Sequence, residues 1–252
     1  MLFSVCWMEK VMQAYGRIMA GRAGQTASGG AAVDRDVLIP NRSDPPAFRH
    51  LVWTFLTAAF VGERLEVLYV WSATGVVMSR SSLLYGPFSL VWGLGAVMVT
   101  WCLWPFRCRG PWVLLLTGGL LGGGFEYVAS AAGEAMFHRI FWDYSYMPFH
   151  LEGRTNLLFA LLWGLGAVLW IYRGFPALTA LTDRLPPKVE RTVLQVISLL
   201  LAADTVLSAA AMLRMEERRE GQPAAGPVAA ALDRWYPDQV LHSRYQNLMD
   251  PR

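Results

Sequence analysis

Lysine is almost missing from this chain. Of 22 basic residues only Lys10 and Lys188 are lysine, and charged residues make up 16% of the 252. A soluble domain usually carries about 25%, so the shortage of charge argues against an ordinary water-soluble globule. The same shortage bears on one function directly. There is no Gly-x-x-x-x-Gly-Lys-[Ser/Thr] phosphate loop, so the chain cannot cradle ATP by that route. Cysteine is scarce too: Cys6, Cys102 and Cys108 cannot all pair and have no metal-ligand spacing, which excludes a disulfide scaffold and leaves them structural. The arginines are scattered, without an aromatic-interleaved basic stripe, and the net charge is only +3, which argues against nucleic acid as a partner. No Gly-x-Ser-x-Gly nucleophile motif is present. His138 and His150 have no matched Cys or acidic spacing, so no metal is assigned, and no cofactor is implied.

What the chain has in abundance is oil. Hydrophobic residues account for 54%, with 11 Trp, 11 Met and a mean hydropathy of +0.33. They gather into five runs, 51–71, 84–106, 112–137, 155–172 and 192–213. A bilayer needs about 20 apolar residues per helical crossing, and a helix satisfies its own backbone hydrogen bonds in lipid. The expected fold is therefore all-α: a polytopic membrane helix bundle of about five spans, in the cell membrane with the bilayer as its first partner.

Residues 1–50 read as an amphipathic and flexible N-terminal segment, 51–213 as the transmembrane helical domain, and 214–252 as a tail with short helices. Phe3, Trp7, Val11, Tyr15 and Ile18 share one helical face, which suits a membrane surface, while Gly21–Pro46 has the composition of a linker. With five spans, one side of the membrane carries 12 Lys/Arg (six before residue 51, two in 107–111, four in 173–191). The other carries 9, namely Arg80, Arg139, Arg154 and six in the tail. The positive-inside rule then predicts a cytoplasmic N-terminus, and a sixth span within residues 1–20 would reverse it.

Residues 91–97 read V-W-G-L-G-A-V and residues 162–168 read L-W-G-L-G-A-V. Phe88 aligns with Phe159 and Leu90 with Leu161; an acid precedes each copy (Glu66, Glu126), as does an arginine loop (Arg80, Arg154). Two helical hairpins related as a parallel internal repeat are expected. The third run also carries Gly118, Gly119, Gly122, Gly123 and Gly124, which let another helix approach closely, either within the bundle or across a homo-oligomer interface.

Charges inside apolar runs cost about 2.5–3.5 kcal/mol each at mid-bilayer and mark inward-facing, paired or water-lined positions. Glu63, Arg64 and Glu66 lie in the first run, Glu126 and Glu134 in the third and Asp204 in the fifth. Glu66 and Glu126 are expected to pair with Arg80 or Arg154, and Glu134 to be interfacial. The aromatic loop 142–149 brings Asp143 and Tyr144, with Arg154 the nearest strong donor for Asp143. The candidate polar centre is thus Glu66, Arg80, Tyr85, Glu126, Asp143, Tyr144, Arg154 and Asp204.

Several of these residues stand in a recognisable setting: Leu65-Glu66-Val67, Arg80 with Leu84-Tyr85-Gly86-Pro87-Phe88 and Trp92-Gly93, Phe125-Glu126-Tyr127, Trp142-Asp143-Tyr144-Ser145, Phe149, Gly153-Arg154, and Asp204 with Ser208. Over residues 55–213, and again at Tyr236-Pro237-Asp238, the chain resembles the family named putative ABC-transporter permease of type IV (CmpB-like). The family's Asn-Gly-Arg loop reads Glu152-Gly153-Arg154 here, and its Arg-Gly step reads Arg80-Ser81-Ser82. The resemblance implies a transport permease served by a separate ATPase subunit. Two other readings stay open: an intramembrane enzyme acting on a lipid or lipid-linked substrate, with Glu66 and Glu126 as acid and base and Arg80 and Arg154 gripping a phosphate or carboxylate, and a membrane scaffold.

Overall fold

A computed structural model describes residues 45–250; the amphipathic reading of residues 1–20 lies outside the described residues. The chain is mostly helical. Helix α1 (Phe48–Thr74) follows Pro45-Pro46 and stops at Gly75, whose left-handed backbone (φ 74°) lets its N–H reach Trp71 O. Helix α2 (Leu90–Leu103) ends in a 3-10 turn at Trp104–Phe106. Helix α3 (Pro111–Phe137) opens on a proline at its first position. A two-residue hairpin, β1 (His150–Leu151) and β2 (Thr155–Asn156), leads into α4 (Leu157–Leu169), where Asn156 caps the helix by accepting from Phe159 N at 3.0 Å. A single wide π turn, Trp170–Gly174, carries α4 into α5 (Phe175–Thr182). Helix α6 (Pro187–Arg219) is the longest, and the tail forms α7 (Pro227–Trp235) and α8 (Asp238–Arg244).

Among the described residues, three helices are long and apolar enough to cross a membrane: α3, the continuous stretch Leu157–Thr182, and α6. The other two apolar runs differ from expectation for physical reasons. Helix α1 has 27 residues, but Arg49, Glu63, Arg64 and Glu66 interrupt its oil. The second run does not become helical at Leu84. Gly86 (φ 70°) and Pro87 break the backbone, residues 84–89 are irregular, and α2 begins only at Leu90. With its 3-10 turn the element spans about 25 Å, short of the roughly 30 Å hydrocarbon thickness.

The helices pack chiefly as α1 on α2 and α3 on α4. One core joins α2, α3 and α4 through Val99, Leu103, Leu114, Val168 and Ile171. The glycine-rich face of α3 is spent inside the bundle. A Cβ on Gly118 would strike Ala167, on Gly119 the Ala160 carbonyl, and on Gly122 the Trp163 ring. A second core sits where the loop after α1 meets the end of α6 and the tail: Leu84, Met212, Met215, Leu241 and Tyr245.

The tail ties both hairpin loops together. Arg244 donates to the carbonyls of Leu83 and Gly86, and Gln246 accepts from Ser79 N at 3.0 Å. On the other loop, Met249 pairs with Ile140 as an isolated antiparallel bridge and Asn247 donates to Phe141 O at 3.0 Å. Arg139 adds ion pairs to Glu216 and Asp250.

Candidate functional site

Glu66 lies in the last third of α1, one turn beyond Gly62; Glu126 lies on α3, one turn beyond Gly122. These glycines set the geometry. An added Cβ at Gly62 would overlap the Trp92 side chain, and one at Gly122 would overlap Trp163, so each tryptophan lies flat against the turn before an acid. Gly93 presses on Phe55 and Ala59, while Gly164 presses on the Leu115 carbonyl and Gly119. The two indoles then meet at the middle of the bundle, stacked at 5.7 Å between ring centroids and 26° between planes. Phe125 closes on the edge of Trp163.

Each acid is fully engaged, but by different chemistry. Glu66 Oε1 accepts from Trp92 Nε1 at 2.8 Å and its Oε2 accepts from Arg80 Nε at 3.1 Å. Glu126, almost fully buried at 7% exposure, accepts from the Tyr144 hydroxyl at 2.9 Å and from the Thr155 hydroxyl at 2.9 Å. It has no ion pair among the described residues. Glu66 is within electrostatic reach of Glu126 and of Tyr144, and Arg80 is within reach of Tyr144. The two pairs are thus Glu66 with Arg80 and Glu126 with Tyr144. Burial, followed by the neighbouring Glu126 carboxylate, pushes the Tyr144 phenol well above its ordinary range, so it stays a hydrogen-bond donor. Its ring is fixed by stacking on Phe159 at 4.6 Å.

The remaining candidates have partners of their own. Arg154 turns to Glu134 at 2.5 Å, with Ser130 Oγ at 3.4 Å, instead of reaching Glu126. Asp143 accepts from the backbone N–H and hydroxyl of Ser145. Asp204 on α6 accepts from Tyr85 N at 3.2 Å and from the Ser208 hydroxyl at 3.2 Å. The Tyr85 hydroxyl meets that of Tyr236 at 2.8 Å; this contact, then burial, pushes the Tyr236 phenol up to about 12. Glu63 is wholly buried, with one carboxylate oxygen paired to the half-exposed Arg64 and the other without a hydrogen-bond partner among the described residues.

The loop that departs from the resembled pattern is the β1–β2 turn. Glu152 (φ 50°) and Gly153 (φ 63°) both hold left-handed backbone there. Asn adopts that conformation more readily than Glu. Here the Glu152 carboxylate is used instead, accepting from the Tyr127 hydroxyl at 2.6 Å. Trp92 and Thr155 were missed as partners of the acids. The shared Trp of the two V/L-W-G-L-G-A-V segments was the available signal for Trp92; Thr155 had none.

Residues 53–209 match the family model described as "Putative ABC-transporter type IV". The chain belongs to this family. The matched stretch contains the whole polar centre and most of α6, and leaves the tail helices outside. No curated protein and no solved structure matches the chain.

Proposed function

We propose that this chain is the membrane-embedded permease of a transport system, crossing the bilayer five times with α2 as the shortest crossing, in which Glu66, Arg80, Glu126 and Tyr144 form the polar centre met by a substrate. The observation that carries the reading is the meeting of two intramembrane acids from separate hairpins beside the Trp92–Trp163 stack. Acids persist in hydrocarbon when they serve a path or a partner. Glu66 answers to a charge, whereas Glu126 is held by hydroxyls alone, so Glu126 is the group freer to exchange a proton or a cargo contact. Tyr85 and Asp204 guard one margin of the centre, and Arg154 with Asp143 the other.

The two hairpins descend from one duplicated unit in this reading. Gly62 with Trp92 corresponds to Gly122 with Trp163, and Gly93 against Phe55 and Ala59 corresponds to Gly164 against Leu115 and Gly119. In each comparison the first-helix positions differ by 60 and the second-helix positions by 71. The N-terminus faces the cytoplasm, on the side with more arginine. Energy comes from a separate ATPase, since no phosphate loop is present.

Purification of the tagged full chain in mild detergent from its native membrane tests this. An ATPase should co-purify, and its ATP hydrolysis should depend on the permease in liposomes. Glu66→Gln and Glu126→Gln should each abolish that dependence while membrane insertion persists. Absence of any ATPase, together with turnover of labelled phospholipid by the pure protein, would transfer the acids to the enzymatic reading. Wild-type behaviour of both variants would leave the scaffold reading.

A further inference from the structure

The two ends of the bundle differ in how many of their arginines are paired, although Arg234 at the tail end is exposed beside Trp235 with no ion pair among the described residues. At the end bearing the tail, Arg80, Arg139, Arg154, Arg214, Arg218 and Arg219 are all ion-paired. Arg244 there is satisfied by the Leu83 and Gly86 carbonyls. At the other end the start of α1 meets α5 and the start of α6, and the local acids are already used. Arg49 bonds Asp183 at 2.6 Å and Glu190 at 3.1 Å; His50 also reaches Asp183, and Trp53 donates to Glu190. Arg109, Arg173, Arg184, Lys188 and Arg191 then remain exposed, with no ion pair among the described residues. Exposed Phe48, Phe106 and Trp112 stand at the same level, and Arg109 lies 5.4 Å from the centroid of the Phe106 ring.

Exposed cations with no ion pair among the described residues, with exposed aromatic side chains at the same end of an apolar helix bundle, are an arrangement that anionic headgroups complement. We propose that this rim, built from the 107–110 loop and residues 173–191, binds anionic phospholipid headgroups, with Arg184, Lys188 and Arg191 as its main contacts. Arg184 lies in the 183–186 turn, and Lys188 and Arg191 are three residues apart at the start of α6. All three are exposed. Each basic residue held near an anionic surface contributes about 1 kcal/mol, and the effect fades over the screening length. The rim does not depend on the transport reading.

The test is thermal unfolding of the full chain in neutral detergent micelles doped with phosphatidylglycerol or, in parallel, with phosphatidylcholine. Ligand that binds the folded state raises its Tm by mass action. Tm should rise with phosphatidylglycerol content and not with phosphatidylcholine. The rise should collapse at about 1 M salt, where the screening length is about 3 Å. Arg184→Gln/Lys188→Gln/Arg191→Gln should lose most of the rise while keeping the parent Tm in phosphatidylcholine, since these side chains are exposed and hold no ion pair among the described residues. Arg234→Gln, at the opposite end beside Trp235, should keep the rise. Equal shifts with the two lipids, or a phosphatidylglycerol shift retained by the triple variant, would overturn the proposal and leave the rim to an acidic protein surface.

Discussion

The hairpin α1–α2 and the hairpin α3–α4 solve one packing problem with different polar chemistry. Both press a tryptophan against a glycine one turn before an acid. In the first, that acid is met by an arginine and an indole; in the second, by two hydroxyls. Backbone proximity is the shared element and charge is the variable one. The pairing of side chains with acids can therefore differ between the hairpins while the helix contact is the same, because a close helix approach is set by small residues.

The strongest way to break the comparison is to fill the glycines. Gly62→Val and Gly122→Val should each destabilise by about 3 kcal/mol or more, the upper range for overpacking, and should yield little monodisperse protein on size exclusion. Gly124→Ala should be silent in the same assay, since nothing lies within 4 Å of its added Cβ. Unequal losses at Gly62 and Gly122 would mean the hairpins are not equivalent.

The acids should separate next. Glu66→Gln strands Arg80, and with Glu66 32% exposed the cost should be about 1–2 kcal/mol. The double variant Glu66→Gln/Arg80→Gln should regain part of it. Glu126→Gln should cost less than about 1 kcal/mol, because hydroxyls reorient to an amide. Chemical unfolding in detergent measures both, and the reverse order would show that Glu126 is the charged anchor.

Acid should loosen the tail before the hairpins. Hydrogen bonds from Arg214 and then Arg218 hold the Asp233 carboxyl at about 2, below its ordinary 3.8. A depressed folded-state value means the stabilisation is whole above about pH 4 and disappears as pH falls through about 2. At the opposite end burial pushes Asp183 up, but His50 and Arg49 outweigh it and leave it below its ordinary value. Limited proteolysis at successive pH values should cut around α7 first. The smallest effect belongs to Glu152→Asn. Relief of left-handed backbone, worth at most about 1–2 kcal/mol, is offset by loss of the Tyr127 bond, about 1 kcal/mol, so Tm should move little.

The helices were legible because apolar runs of bilayer length admit one backbone solution. The Glu66–Arg80 pair was legible because both stand in one hairpin. Glu126 was not paired as expected: Arg154 is drawn to Glu134 one face away on the same helix, and hydroxyl donors such as Thr155 leave no sequence signal. The late start of α2 was written in Gly86-Pro87 but outweighed by the length of the apolar run. The tail's reach to both loops depends on contacts between residues more than a hundred positions apart, which no local pattern encodes.

The antiparallel bridge between Ile140 and Met249 has a consequence for biogenesis. Residues 236–249 leave the ribosome after every helix of the bundle, so both hairpins enter the lipid with their loops still unfastened. The contacts of Arg80 and Tyr144 with their acids use only residues synthesised earlier, so their formation does not require this clasp.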